Sequence, residues 1–196
     1  MATITRRKLI QASPLVLAGS QALLSAGANA APRRSPACDM DGPLTPDQIE
    51  GPYFKPASPQ RMTLLDDTIQ GERMIVEGTV YDANCKPILG ALLDFWQADG
   101  NGEYDNTNFG LRGHQYVDGE ARFHLETVVP GYYPRRTRHI HVKVQAPGHP
   151  ILTTQLYFPE DPGNKRDPLF DKGLAMKMSE RGGRKVGWYD FVLAVF

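Results

Sequence analysis

Short runs of apolar residues recur between residues 73 and 195, and turn signals separate them. Arg73–Tyr81 partly alternates apolar with polar residues, whereas Leu89–Ala98 is nearly continuous in apolar and aromatic residues. Turns containing glycine or proline lie between the runs. Several short strands with regular turns predict an all-β sandwich or barrel. Further strand-like runs are Ala121–Val129, His139–Ala146, Leu152–Phe158 and Val186–Val195.

We expect one domain, a β-sandwich of mostly antiparallel short strands that occupies residues 61–196. Lys172–Arg181 is the one stretch with the character of a short helix, and we find no internal repeat. Residues 31–60 are rich in proline and poor in apolar residues. This composition predicts an extended arm that wraps the body of the domain rather than a packed element.

The first thirty residues have the organisation of an export signal. Arg6, Arg7 and Lys8 precede a mildly apolar stretch that ends in Ala28-Asn29-Ala30, an A-x-A cleavage site. The paired arginines resemble a twin-arginine signal. A general secretory signal is the alternative, and a membrane anchor is disfavoured because Pro14 and polar residues interrupt the apolar stretch. We therefore expect a periplasmic or extracellular protein.

Composition and charge exclude two classes of protein. The chain has 22 Lys and Arg against 22 Asp and Glu, and 41% of its residues are hydrophobic. Such a chain is too apolar to be disordered, and it lacks the basic surplus of a nucleic-acid binder. Removing residues 1–30 takes away three positive charges, which leaves 19 against 22 and a net charge of −3.

Two cysteines remain after the signal, Cys38 and Cys85. In an oxidising compartment an even pair predicts a disulfide. This bond would join the proline-rich arm to the turn Asp82–Pro87. The alternative is two unpaired thiols.

The most informative local pattern is His139-Ile140-His141. In a strand, residues i and i+2 point to the same face, so the two imidazoles project together while Ile140 points to the core. Two adjacent imidazoles can hold one metal ion. Alone the pattern is weak, because a solvated strand face produces it equally well.

Tyrosines near turns add candidate oxygen donors. Tyr132-Tyr133 follows Pro130-Gly131, and Tyr104 follows a glycine-rich turn. A phenol has an ordinary pKa near 10 and becomes a phenolate ligand at neutral pH only beside a strong Lewis acid. Hard anionic oxygen suits ferric iron, whereas zinc sites normally use Cys, His or carboxylate.

The centre of the chain resembles the intradiol ring-cleavage dioxygenases, the non-heme Fe(III) enzymes that open catechols between their two hydroxyl groups. The motifs W-Q-A…G-x-Y, P-G-x-Y-P, H-x-H and T-T-Q carry the resemblance. They lie in the stretches Thr45–Tyr53, Val76–Tyr104 and Asp118–Phe158.

The resemblance implies an Fe(III) cofactor whose ligands are Tyr104, Tyr133, His139 and His141. It also implies that Arg136 lies over the substrate ring, that Gln155 lines the pocket, and that Tyr133 takes a substrate proton as it leaves the iron. The expected substrates are a catechol and O2, and the expected product is a muconate-type dicarboxylate. No nucleic acid or membrane anchor is expected. A homo-oligomer is compatible with the resemblance, which leaves the assembly open.

The chain departs from the family pattern in three places. Thr137-Arg138 replaces the usual Pro-Ala before H-x-H, the segment Asp105–His114 is short, and the helical dimerisation region of the catechol-type enzymes is missing. These departures predict a more open site. Arg135, Arg136 and Arg138 form a basic cluster, which leaves open which arginine contacts substrate and suggests a carboxylated catechol.

Other histidines and aromatic residues have ordinary interpretations. His124 and Glu126 could complete a two-His-one-carboxylate site, but their alternation with apolar residues favours a solvated strand face. We expect His114 and His149 in surface loops. We expect Tyr132 to be a pocket wall, and Tyr53 either reaches the pocket rim or only packs.

Two other functions stay open at this point. The same sandwich serves as a non-catalytic binding module of transthyretin-like type, or it could hold another metal for a hydrolytic reaction. A pure binding module has no reason to keep four metal donors. Two phenolic donors and the lack of an obvious carboxylate base disfavour hydrolysis.

Overall fold

The computed structural model describes residues 38–39 and 42–195, and two β-sheets make up nearly all of its regular structure. The strands are β1 (Arg73–Asp82), β2 (Leu92–Trp96), β3 (Arg112–Tyr116), β4 (Arg122–Val128), β5 (His139–Gln145), β6 (Ile151–Tyr157), β7 (Lys177–Arg181), β8 (Arg184–Trp188) and β9 (Phe191–Leu193). One sheet has the order β4-β1-β8-β7, with β9 paired to β1, and the other has the order β3-β2-β5-β6. The all-β sandwich predicted from the sequence is confirmed.

Alternation places the core between the sheets. Met74 and Val76 of β1 are buried, and so are Phe123 and Leu125 of β4. The other sheet contributes the buried side chains Leu93, Ile140, Val142 and Val144. Pairing is antiparallel except where β8 and β9 lie parallel to β1. Strand β5 is buried on both faces, because its two histidines are also covered.

The expected helix at Lys172–Arg181 is wrong. Lys172–Leu174 forms one turn of 3-10 helix, and Lys177–Arg181 is strand β7. A second 3-10 turn is Pro162–Lys165. Strand β7 carries almost no apolar alternation because it lies at a sheet edge with most side chains exposed. It pairs with β8 across Gly182-Gly183, whose φ angles of 59° and 75° suit a hairpin turn.

Two further differences concern strand limits. Arg112–Tyr116 forms edge strand β3, so the expectation of a loop at His114 is wrong. The sequence of β3, Arg-Gly-His-Gln-Tyr, has no apolar alternation that would predict a strand. The run Val186–Val195 is also two strands, β8 and β9, rather than one.

Residues 42–60 of the arm follow a path without regular secondary structure and reach both sheets. The Thr45 N–H donates to the carbonyl of Val192 beside β1, at 2.9 Å. The Gln48 N–H donates to Thr153 of β6 at 2.8 Å. Nearer its end, the Ser58 hydroxyl donates to Asp94 of β2 at 2.7 Å.

The predicted disulfide is confirmed. Cys38 is bonded to Cys85, with 5.6 Å between the Cα atoms and a sequence separation of 47. It joins the arm to the turn after β1. The predicted signal at residues 1–30 lies outside the described residues. Within residues 38–39 and 42–195, no helix has the length and apolar character needed to cross a bilayer.

Two glycine-containing turns touch backbone to backbone at one end of the sandwich. The Gly131 N–H donates to the Asp99 carbonyl at 2.7 Å. A Cβ atom on Gly131 would lie 2.3 Å from the Gly102 nitrogen, and one on Gly102 would lie 2.2 Å from the Tyr132 carbonyl oxygen. Gly102 also has a φ of +88°, which favours glycine. Only glycine fits at either place.

We expect removal of the disulfide to destabilise the fold through the unfolded state. A closed loop of this length lowers the free energy of the folded relative to the unfolded chain by about 4 kcal/mol in the chain-entropy model. The double variant Cys38→Ala/Cys85→Ala should lose stability of this order in urea unfolding. A reducing agent should destabilise the unmodified protein and leave the double variant unchanged. Equal stability of the two proteins would contradict this account.

We expect Gly131→Ala to push the two turns apart, because its methyl group meets backbone on three sides. Overpacking of this kind typically costs about 1–3 kcal/mol. Gly119→Ala is the matched control, since a Cβ there meets nothing within 4 Å. Thermal unfolding of both variants checks the prediction, which fails if they have equal midpoints.

Candidate active site

His139 and His141 lie side by side on the face of β5 that points away from the core between the sheets, and both side chains are buried there. Their ring centroids are 4.8 Å apart. The register places His141 between Trp96 of β2 and Gln155 of β6. The Trp96 ring stacks on His141, with centroids 4.7 Å apart and planes 9° apart. This packing fixes the orientation of the imidazole.

Two loops bring tyrosines to the histidines. The Tyr104 hydroxyl lies 3.4 Å from Nε2 of His139. The Tyr133 ring packs edge-on against Tyr104, with centroids 5.9 Å apart. Both tyrosines follow the touching glycine turns, so the contact between these turns brings their loops together. The four donors predicted from the sequence thus form one cluster.

The protonation of the histidines suits metal binding. Burial, with the nearby charge of Arg136, lowers the pKa of His139 to about 4. Burial, then His139 and Arg136, lowers the pKa of His141 well below its usual value. Both rings are therefore neutral at pH 7. The Nδ1–H of His139 donates to the Thr137 carbonyl at 2.7 Å, which leaves the Nε2 lone pair facing Tyr104.

Two groups of the cluster, the Tyr104 hydroxyl and the His141 ring, are buried in surroundings that do not stabilise a charge or satisfy every polar atom. Burial raises the pKa of Tyr104, so its phenol keeps its proton unless a cation is present. Nδ1 of His141 is buried without a hydrogen bond. In the described part of the chain, no three His, Cys, Asp or Glu residues form a metal-holding group. A metal at this cluster would therefore use the two phenolic oxygens with the two imidazoles.

Arg136 lies beside this cluster in a fixed orientation. Its Nε donates to the carboxylate of Asp167 at 2.8 Å, and its Nη2 donates to Gln155 Oε1 at 2.6 Å. The Asp167 side chain is fully buried. Gln155 also donates to the Ile49 carbonyl of the arm at 3.0 Å.

The other two arginines of the basic cluster occupy different surroundings. Arg138 lies 3.5 Å from Asp161 and 4.4 Å above the Tyr132 ring. Arg135 is exposed. Arg136 is thus the arginine that contacts Gln155 and affects both histidines electrostatically.

The arm contributes a third tyrosine to the cluster. The Tyr53 ring stacks on Tyr104 at 4.3 Å, and its hydroxyl shares a hydrogen bond of 2.9 Å with the Tyr133 hydroxyl. That hydrogen bond, with burial, raises the pKa of Tyr53. Of the two expectations for Tyr53, the pocket rim is correct. Its position after Gly51-Pro52 was the available signal.

Sequence reasoning missed two residues that orient the site. The Tyr157 hydroxyl donates to Gln155 at 3.0 Å, and Arg136 contacts the same hydroxyl at 3.3 Å. Asp167 is the carboxylate that holds Arg136. Tyr157 follows Gln155 by two positions on β6, so alternation could have placed it on the same face. Asp167 lies in a loop without any local signal.

The other histidines in the described part of the chain, which the sequence did not favour as ligands, have no contact with the four donors. His124 is on the outer face of β4, 3.0 Å from Glu77, and its side chain is 42% exposed. His114 lies in β3, where its Nδ1 contacts the Ser58 carbonyl at 2.7 Å. His149 is exposed. Tyr132 lines a cavity next to Tyr133, as expected of a pocket wall.

Comparison with known proteins identifies relatives of the chain. Residues 49–181 match a family model described as "Dioxygenase". A catechol 1,2-dioxygenase of Pseudomonas sp. (strain EST1001) is 32% identical over 154 residues, which are 64% of this chain and 51% of that protein. A hydroxyquinol 1,2-dioxygenase of Rhizobium sp. (strain MTP-10005) is 30% identical over 165 residues, which are 64% of this chain and 56% of that protein. The chain spans about half the length of these curated relatives.

Solved structures agree with this relationship. The dioxygenase domain of a dioxygenase–carbohydrate-binding fusion from Streptomyces sp. SirexAA-E is 55% identical, with a TM-score of 0.76 over 79% of this chain and 100% of that one. An intradiol ring-cleavage dioxygenase from Tetranychus urticae is 27% identical, with a TM-score of 0.69 over 77% of this chain and 94% of that one. The matched family model covers the β-sandwich from the arm to β7. The chain belongs to the intradiol ring-cleavage dioxygenase family.

Proposed function

We propose that this chain is a non-heme Fe(III) intradiol dioxygenase, which opens the ring of a catechol-type substrate with O2 to give a muconate-type dicarboxylate. The observation that carries the proposal is the cluster of Tyr104, Tyr133, His139 and His141. Two neutral imidazoles and two phenols are a poor zinc site but suit a hard ferric ion. When bound, Fe(III) would supply Lewis acidity and a template for both catechol oxygens.

The tyrosines have distinct tasks in this reaction. Tyr104, which is covered by the Tyr53 ring, would hold the iron as a phenolate. The Tyr133 hydroxyl lies 2.9 Å from that of Tyr53. Tyr133 Oη would accept one proton from the catechol, and the Tyr53 hydroxyl lies within hydrogen-bond distance of this oxygen. This arrangement gives the proton a defined place inside the site.

Arg136 acts on the substrate through its charge. A guanidinium beside the ring stabilises the negative charge that develops on carbon before oxygen attack. Asp167 and Gln155 orient this guanidinium, so it needs no rearrangement during the reaction. Its interaction with Asp167 is charge-assisted and one partner is fully buried.

We also propose that the protein acts outside the cytoplasm. The signal-like residues 1–30 suggest export. The Cys38–Cys85 disulfide supports an oxidising compartment, where such bonds persist.

Iron binding is the first test. Protein purified without chelator should contain stoichiometric ferric iron and absorb broadly in the visible region, because tyrosinate donates charge to Fe(III). Anaerobic catechol should shift the band to longer wavelength. Tyr104→Phe should weaken the band and lower kcat by roughly 100-fold or more, whereas the exposed Tyr116→Phe should change neither. A colourless protein that takes up no ferric iron would overturn the proposal and favour a binding module.

Asp167→Asn tests the support of Arg136. Burial opposes ionisation of Asp167, but hydrogen bonds from Leu169 N–H, Arg136 and Thr137 N–H lower its pKa overall. A lowered folded-state pKa stabilises the protein above the unfolded value, near 4, and this contribution disappears as the pH falls through the folded pKa.

The variant should therefore lose about 2 kcal/mol of unfolding free energy at pH 7 and less at pH 3, where the carboxylate contributes less. Its kcat should fall with little change in iron content. Urea unfolding at both pH values checks this, with the exposed Glu160→Gln as control. A loss of stability that is equal at pH 7 and pH 3 would refute the assigned role of the carboxylate.

A further inference from the structure

A large cavity opens beside the candidate iron cluster. Its volume is about 670 Å³, and its walls include Tyr133 and Arg136. These two residues also belong to the proposed active site. A ring held at the iron cluster therefore has this cavity as neighbouring space. An aromatic ring occupies roughly 150 Å³ of cavity, so the space is several times larger than a catechol needs.

The cavity is positively charged. Arg135, Arg136 and Arg166 line it, and no carboxylate does. Arg136 is neutralised by the buried Asp167. Arg135 and Arg166 are exposed, and neither side chain has an ion pair or hydrogen bond within the part of the chain that the structure describes. The backbone N–H of Arg166 donates to the Gly163 carbonyl at 2.9 Å, which holds its loop. Two arginines whose guanidinium groups have no partner among the described residues thus line this space.

The backbone at Arg135 points to a use for its side chain. Its φ is 67°, in the left-handed region that favours glycine. A long side chain at such a position carries a conformational cost that glycine would avoid, and such positions cluster at functional sites. The left-handed residue directly follows Pro134, which is itself part of the cavity wall.

The rest of the wall is flat and weakly polar. Tyr132, Pro134 and Pro168 contribute rings to the lining. The Tyr132 ring is held by Arg138 over its face and by a hydrogen bond of 3.2 Å from its hydroxyl to Asp161. Ring faces of this kind suit a planar apolar chain better than a hydrated ion. The cavity thus combines an apolar wall with unpaired cationic groups.

We propose that the substrate is a catechol whose ring carries an extended side chain ending in a carboxylate, which Arg135 and Arg166 bind. The inference rests on the proposed ring-cleavage function. The catechol oxygens would lie at the iron cluster, and the side chain would follow the Tyr132 and proline wall. Guanidinium groups bind carboxylates through two parallel hydrogen bonds, which gives both charge and direction.

Matched pairs of substrates test the proposal. The acid 3,4-dihydroxycinnamate and its methyl ester share the ring and the chain, and the ester replaces the carboxylate charge with a methyl group. We expect kcat/KM to be roughly tenfold higher for the acid, the usual scale of a hydrogen bond to a charged group. The advantage should shrink at 1 M salt, where charges are screened within about 3 Å. Unsubstituted catechol serves as the reference for ring cleavage itself.

Variants locate the effect. Arg135→Gln/Arg166→Gln should bring the acid-to-ester ratio close to one. Arg184→Gln, in β8 of the other sheet, should leave the ratio unchanged. Arg135→Gly should lower the ratio and raise the melting temperature, because glycine relaxes the backbone. A purely structural role of Arg135 would not move the ratio.

Anaerobic calorimetry of acid and ester gives a readout that does not need turnover. Tighter binding of the acid, lost in the double variant, supports the proposal. Equal kcat/KM and equal affinity for acid and ester would overturn it, and so would a preference that survives in the double variant. If catechol is cleaved but the acid has no advantage, this inference fails and the ring-cleavage function stands. If the protein binds no ferric iron and cleaves no catechol, the proposed function fails.

Discussion

The backbones of two glycine turns lie in direct contact, and the geometry of the cluster of two tyrosines and two histidines depends on that contact. Gly131 approaches Gly102 so closely that no side chain fits between them. The loops that leave this contact carry Tyr104 and Tyr133. Strand β5 supplies both histidines from a sheet whose register is fixed on both sides. Tyr104 and Tyr133 therefore reach the two histidines because the turns at Gly102 and Gly131 pack against each other without side chains between them.

Burial of these donors is costly without a metal. Two imidazoles are held neutral, one buried nitrogen has no hydrogen bond, and a phenol is kept protonated. Buried polar groups without partners oppose folding. The nearby Arg136 adds positive charge, which Asp167 balances from beneath. These surroundings fit the proposed ferric ion, whose charge would favour the phenolate form of the tyrosines.

The sequence predicted those parts of the fold that local patterns encode. Alternation identified β1, β4 and β5, and the H-x-H spacing placed two side chains on one face. It did not identify β3, because the buried positions of that strand are Arg112, Gly113 and Gln115 rather than apolar residues. It did not identify β7, because most side chains of that edge strand are exposed. Tyr53 and Asp167 reach the site through tertiary packing, from the arm and from a loop. Gly51-Pro52 marked Tyr53 as a candidate, whereas no local pattern marked Asp167. The prediction that Tyr104, Tyr133, His139 and His141 act together came from the resemblance to the family, because the spacing alone indicated only the two histidines.

The histidines and the unpaired arginines occupy different kinds of structure. His139 and His141 lie on a central strand buried on both faces, where a shift of one residue would exchange them with Ile140 and Val142 of the core. Folding and the proposed metal binding therefore constrain the same residues and tolerate little change. Arg135 and Arg166 lie in loops, and their side chains are exposed. Such loops can accept new residues without disturbing the strand, so substrate preference could change in related chains while the four donor residues stay the same.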